Sequence, residues 1–344
     1  MKTKTNISIG IDGITCMVSG CSLVNEMKFP QDSETPFLRL TPKGNKTEVA
    51  LILPRTIRSD NKIGFRASDC KYLLDVIQKV NRTLKSVITV DWCEVFVQQL
   101  EVAVTVDLGV TDKLTIDSTL NFLSQVLLRE DKENKRGKQN NVLKSAPMQK
   151  YVVGEKRAGC QFIYKELTKS YETNLWTNKR LKFKAYSKGA YSEFGGDTSI
   201  FRLEGVYCEK GIKHVLKLKE GEYITLDKVL KQKAIRDFIR QFKIDYREII
   251  APRIRGYLNE SVQLIVSTIE KTSAYNSLLI NKDILFDMRQ YEKALRIFYK
   301  KHNKTDVAQR KMLCSVKKKM LKDGVKIPYG VIEIFELINK ATQT

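Results

Sequence analysis

The sequence predicts an α+β fold: a mainly antiparallel sheet with helices packed on one face, followed by a helical C-terminal domain. Three observations predict it. Runs with an apolar residue at every second position alternate with runs of helical period. Their order is strands, helix, strand, helix, strands, helix, which suits a sheet covered by helices. From about Ile249 onward the strand pattern disappears and Lys, Arg, Leu and Ile dominate, so the chain divides into residues 1–245 and a basic helical part, 246–344.

The elements follow in order. "TNISIGIDGITCMV", "FLRLTP", "TEVALILP" and "KIGFRA" read as strands separated by Pro, Gly and Asn turns. "SDCKYLLDVIQKVNRTLKSV" opens on Ser68 or Asp69 as a cap and places Leu73, Ile77, Val80 and Leu84 at helical spacing. "FVQQLEVAVTVDLG" is the cleanest strand, with Leu100, Val102, Val104 and Val106 on one face and Glu101, Ala103, Thr105 and Asp107 on the other. A second helix, "IDSTLNFLSQVLLRE", follows, then the charged, aperiodic "EDKENKRGKQNNVLKS", which reads as a mobile loop. Strands resume at "GCQFIYKEL", "RLKFKAYSK" and "SIFRLEGVY", and "TLDKVLKQKAIRDFIRQF" is a third amphipathic helix. Near the end, "TDVAQRKMLCSVKKKMLKDGVKIP" has Thr305 or Asp306 as N-cap, Gln309 at the capping-box position and Gly324 as its stop.

Charge narrows the function. The 344 residues carry 61 Lys and Arg against 39 Asp and Glu, a net charge of +22. A surplus of this size favours a polyanionic partner, nucleic acid first, because each phosphate neutralised releases counterions; a basic surface serving solubility alone is the bland alternative. No apolar run reaches the roughly 18 to 20 residues a membrane span needs, and the start is too polar for a signal peptide, so a cytoplasmic protein is expected. The 7 cysteines are scattered without CxxC pairing and read as reduced core thiols.

The chemistry concentrates in "LKFKAYSKGAYSEFGGDTSIFRLEGVYCE". Alternation puts Lys182, Lys184, Tyr186 and Lys188 on one face of its first strand, with Arg202 and Glu204 on the polar face of the next. The Gly-containing connection makes the two strands hairpin neighbours, and Glu101 would share their polar surface if its strand pairs nearby. Two carboxylates could then hold Mg²⁺ or Mn²⁺ against a phosphate. Lys184 or Lys188 would lower the pKa of the Tyr186 phenol, which otherwise titrates near ~10. An ordinary half-buried strand tyrosine and a surface Arg202–Glu204 ion pair account for the same residues without chemistry.

The order "QLEVAVTVD", "LKFKAYSKGAYSEF", "FRLEGVY" resembles the rolling-circle replication initiators of filamentous phages and, more distantly, plasmid initiators of the Rep_trans class, over roughly Val97 to Glu209. The resemblance implies an endonuclease palm of the HUH type without its histidine pair, consistent with His214 and His302 standing far apart. It implies Tyr186 as nucleophile with Lys188 following it, and Glu204 and Glu101 as metal ligands, although Glu101 stands where Asp is usual and follows Gln99 rather than Arg. Implied with these are a 5′-phosphotyrosine intermediate, origin duplex and single-stranded DNA as partners, host helicase and polymerase, and a bacterial cytoplasm. Tyr191 or Tyr164 could assist or replace Tyr186.

The C-terminal helix, with Arg310, Lys311, Lys317, Lys318 and Lys319, similarly resembles the ending of phage initiators and would bind duplex DNA together with Arg202; a merely solvated basic helix is the rival. A non-catalytic origin- or operator-binding protein remains the alternative function. A tyrosine recombinase ranks lower, because Tyr329 lacks the Arg/His partners that chemistry uses.

Overall fold

The computed structural model describes residues 5–19, 37–43, 46–59, 62–87, 95–109, 112–128, 160–165, 170–176, 180–188 and 199–343; the charged segment at 130–145 lies outside them. Eight strands form one sheet in the order β2-β3-β1-β4-β8-β7-β6-β5. They are β1 (Asn6–Ser19), β2 (Leu38–Lys43), β3 (Lys46–Ile52), β4 (Phe96–Asp107), β5 (Cys160–Lys165), β6 (Ser170–Trp176), β7 (Leu181–Ser187) and β8 (Ile200–Cys208). Every ladder is antiparallel. The expected "KIGFRA" strand reduces to a single bridge, Phe65 to Ile11, and β6 is a strand that the apolar pattern does not reveal.

Besides a single α-helical turn at Leu226–Val229, the α-helices among the described residues are α1 (Leu73–Val87), α2 (Lys113–Leu128), α3 (Glu209–Leu216), α4 (Gln232–Asp245), α5 (Ala251–Ile269), α6 (Ala274–Ile280), α7 (Met288–Lys301), α8 (Asp306–Lys322) and α9 (Val331–Gln343). Asp112 starts α2 by accepting from the Thr115 amide at 3.0 Å and its hydroxyl at 2.6 Å. A π-helical turn, Tyr246–Ile250, joins α4 to α5. Pro252, in the first turn of α5, has no N–H for the preceding turn, which accounts for the loosened winding there. Among the described residues no helix is long and apolar enough to cross a membrane.

The apolar face of the sheet is covered by α2, α4 and α9. Leu100, Val102, Val104 and Val106 of β4 are buried in one core with Phe238 and Phe242 of α4 and Phe335 of α9. A Cβ at Gly205 would lie 2.8 Å from the Phe242 ring, so a side chain there would push α4 off β8. This core runs past residue 245 through Tyr246, Ile250, Ile254 and Tyr257, and α9 returns to it. A second core joins Val262, Ile265 and Ile269 of α5 to Leu278, Tyr291, Leu295 and Val316. Thr305 caps α8 by accepting from the Ala308 amide at 3.2 Å, which places Ala308 rather than Gln309 at the capping-box position, and Gly324 follows the helix with φ +67°.

Candidate active site

The opposite face of the sheet carries a buried polar cluster built from three adjacent strands. Register sets β7 against β8 with Lys184 opposite Glu204 and Tyr186 opposite Arg202. It also sets β8 against β4 with Arg202 opposite Thr105 and Val206 opposite Glu101. Because alternation sends every one of these polar side chains to the same face, β7, β8 and β4 bring them together.

Strand β1 adds a residue that regular alternation does not place. Its pairing with β4 shifts between Ile11, opposite Val102, and Gly13, opposite Glu101, so Asp12 is the extra residue of a β-bulge. The core-facing residues on either side are Ile11 and Ile14, and Asp12 turns onto the polar face. The apolar series Ile7, Ile9, Ile11 and then Ile14, Cys16, Val18 slips by one position, a signal of the bulge that the sequence contains.

In this cluster the Tyr186 hydroxyl donates to Glu204 Oε1. Lys184 Nζ lies 2.7 Å from Glu101 Oε1 and 3.0 Å from Glu204 Oε2. Arg202 donates from Nη1 to Asp12 Oδ1 at 2.8 Å, from Nε to Thr105 Oγ1 at 3.1 Å, and from Nη2 to the Lys62 carbonyl at 2.9 Å. Arg202 and Glu204 have no exposed surface and Tyr186 is 8% exposed, whereas the side chains of Lys184 and Glu101 keep 20% and 22%. Solvent therefore reaches the cluster on the Lys184–Glu101 side.

Charge sets the protonation states. Burial alone would raise the Glu204 carboxyl, but Lys184 and Arg202 more than offset it and hold it down to about 2. Burial, and then Glu204, push the Glu101 carboxyl above its ordinary range against the pull of Lys184. Burial disfavours the Lys184 ammonium, yet Glu204 and Glu101 raise it above the usual lysine value. The Tyr186 phenol is pushed well above the ordinary tyrosine range, first by burial and then by Glu204, with Arg202 opposing.

Two expectations need correction. The phenol is not lowered but stands well above the ordinary range; Lys184 lies against the carboxylates, and Lys188 is buried with its Nζ 6.0 Å from the centroid of the Tyr186 ring. Arg202, expected to contact DNA, is sealed inside with its donors directed at Asp12, Thr105 and the Lys62 carbonyl. On α8, Arg310, Lys311 and Lys318 are exposed; Lys317 pairs with Glu292 at 3.0 Å, and Lys319 stands over the Tyr275 ring at 5.7 Å. Tyr191 and the side chain of Tyr164 lie outside the described residues.

The donor set fits a hard divalent cation. Carboxylate oxygens of Asp12, Glu101 and Glu204 lie within 4.8 Å of one another. Glu204 Oε2 is buried, with Lys184 Nζ 3.0 Å away. All-oxygen ligation with no histidine or thiol suits Mg²⁺ or Mn²⁺.

The fold and this cluster define an antiparallel α+β protein with a buried, carboxylate-rich, tyrosine-containing centre on the sheet face opposite the core under α2, α4 and α9. No protein-family model matches the chain, and no curated protein matches it. Among solved structures, a rolling circle replication initiator protein from Geobacillus stearothermophilus aligns over 61% of this chain and 77% of its own, at 10% identity and a TM-score of 0.24.

Proposed function

We propose that the protein is a rolling-circle replication initiator: a metal-dependent enzyme that nicks one DNA strand through Tyr186 and later rejoins it. The observation that carries this reading is the contact of the Tyr186 hydroxyl with Glu204, inside a group of three carboxylates able to hold one cation. The surplus of basic residues, +22 overall, suits a DNA substrate.

Asp12, Glu101 and Glu204 would hold Mg²⁺ or Mn²⁺, which would polarise a non-bridging phosphate oxygen and offset the negative charge that keeps the phenol protonated. The phenol proton would leave through Glu204 Oε1, which already accepts from the hydroxyl, and pass to solvent as the tyrosine oxygen bonds to phosphorus. The phosphorus–O3′ bond breaks, the 3′ oxygen is protonated from solvent, and the 5′ phosphate remains on Tyr186. A host polymerase would extend the free 3′ hydroxyl while a helicase separates the strands. Arg202 positions Asp12 and is not a catalytic residue. In this reading residues 1–245 cut and join, and Arg310, Lys311 and Lys317–Lys319 of the C-terminal part hold duplex DNA at the origin, in a bacterial cytoplasm.

The burial and protonation of Tyr186 favour a second reading, in which the cluster is a structural network and the protein binds its origin without cutting it. Supercoiled DNA carrying the cognate origin, incubated with the protein and Mn²⁺ or Mg²⁺, separates the two. Relaxed and nicked circles that vanish in Tyr186→Phe support the enzyme; unchanged supercoiled DNA with intact binding supports the non-catalytic alternative.

A further inference from the structure

A cleft of about 980 Å³ opens between α3 and α4. Its lining includes Arg180, Lys210, Lys217, Lys231, Lys233 and Arg240, and Asp237 is the single carboxylate among the residues that line it. That carboxylate lies 3.5 Å from Arg240 on its own helix. The cations come from both ends of α3, the start and the second half of α4 and the residue before β7, so packing rather than sequence adjacency gathers them. Concentrated positive charge in a concave wall focuses the field on an anionic ligand.

Three further features sharpen the ligand. The N-terminus of α4 opens into the cleft: Lys231 is its N-cap and makes no side-chain cap, no acidic residue occupies the first turn, and Ala234 is part of the lining. Its free amides and dipole favour a phosphate oxygen there. Lys217 ends α3 with φ 55°, a left-handed conformation that glycine usually supplies, and lines the cleft. Phe96 and Tyr223 form an exposed aromatic pair, 38% and 69% accessible, with ring centroids 4.9 Å apart. Lys228, another lining residue, donates to the Tyr223 carbonyl at 3.0 Å and ties this pair to the cleft.

A basic groove that tracks phosphates beside exposed rings that stack on bases is the arrangement that binds unpaired strands. Duplex DNA offers its bases no free face for such stacking. We infer that the α3–α4 cleft with Phe96 and Tyr223 is a track for single-stranded DNA, separate from the cluster around Tyr186. The choice of DNA over RNA rests on the proposed function; the cleft itself does not.

The test uses the full chain and a fluorescein-labelled oligothymidylate of about 15 nucleotides, titrated at several salt concentrations. Two variants are compared with the parent: Lys217→Glu/Lys231→Glu/Lys233→Glu, and Tyr223→Ala. The triple variant should bind at least about tenfold more weakly, with a salt slope shallower by about 2, the share of three phosphate contacts. Tyr223→Ala should lose about fivefold or more on the single strand and less than about twofold on a blunt duplex of the same length. Unchanged oligothymidylate affinity in both variants overturns the inference, and so does an equal loss on duplex. Tighter binding of oligouridylate overturns the assignment to DNA. Tyr223→Ala removes only an exposed ring, so it remains informative if the triple variant does not fold. Failure of the nicking reading would appear in Tyr186→Phe with these affinities unchanged, which keeps the two outcomes distinct.

Discussion

Asp12 and Arg202, 190 residues apart in the chain, meet in a buried ion pair at 2.8 Å. The bulge in β1 delivers Asp12 and the alternation of β8 delivers Arg202; the Thr105 hydroxyl and the Lys62 carbonyl take two more of its donors. Removing one partner of a fully buried pair strands the other charge. Asp12→Ala should therefore cost about 3 to 5 kcal/mol in urea unfolding, while Asp12→Ala with Arg202→Met should cost clearly less than the two single changes added together. Strict additivity would show that the pair is not coupled.

The same cluster predicts a pH signature. The Glu204 carboxyl is depressed from 4.5 to about 2, so its ionised form stabilises the fold above pH 4.5, and that contribution is lost as pH falls through the window from 4.5 to about 2. Glu204→Gln should be less stable than the parent at neutral pH, and the gap should narrow across that window. A gap independent of pH would mean that the carboxylate's charge is not what Lys184 and Arg202 hold in place.

Cation binding should stabilise the folded chain, since a ligand bound only by the native state raises its stability. Mn²⁺ should raise the thermal midpoint of the parent, and EDTA should reverse the rise. Glu101→Gln and Glu204→Gln should abolish it. An equal Mn²⁺ response in both variants would place the ion elsewhere.

Close backbone contact makes a fourth prediction. A Cβ on Gly10 would sit 2.6 Å from the Gly64 carbonyl carbon, and one on Gly64 would sit 2.9 Å from the Gly10 carbonyl carbon. The segment beside Gly64 carries the Lys62 carbonyl that anchors Arg202. Gly10→Ala should cost about 1 to 3 kcal/mol and lower nicking with it, by prising this segment off β1. Parent-like stability would mean that the segment is free to shift.

Much of this arrangement was legible in the sequence. Period-two alternation in "LKFKAYSK", "FRLE" and "QLEVAVTVD" is enough to put Tyr186, Lys184, Glu204 and Glu101 on one face, because a strand has only two faces. Asp12 escaped because the bulge breaks the rule on which the reading depends. Burial escaped too: a polar strand face reads as exposed, yet Arg202 and Glu204 are sealed against one another and against Asp12 and Lys184. The α3–α4 cleft was hidden for another reason, since its basic residues are spread from Arg180 to Arg240, with no contiguous run like Lys317–Lys319. Composition changes near residue 246, whereas the packing changes partners within α5.

The most direct test of the central claim is to map the covalent adduct. The protein is incubated with supercoiled DNA carrying its cognate origin and Mn²⁺, digested, and sequenced by mass spectrometry for a nucleotide-bearing peptide. A 5′-phosphotyrosyl link on Tyr186 is the predicted result, with none formed by Tyr186→Phe. A link on Tyr191 or Tyr164, or no link under conditions where the DNA is bound, would contradict it.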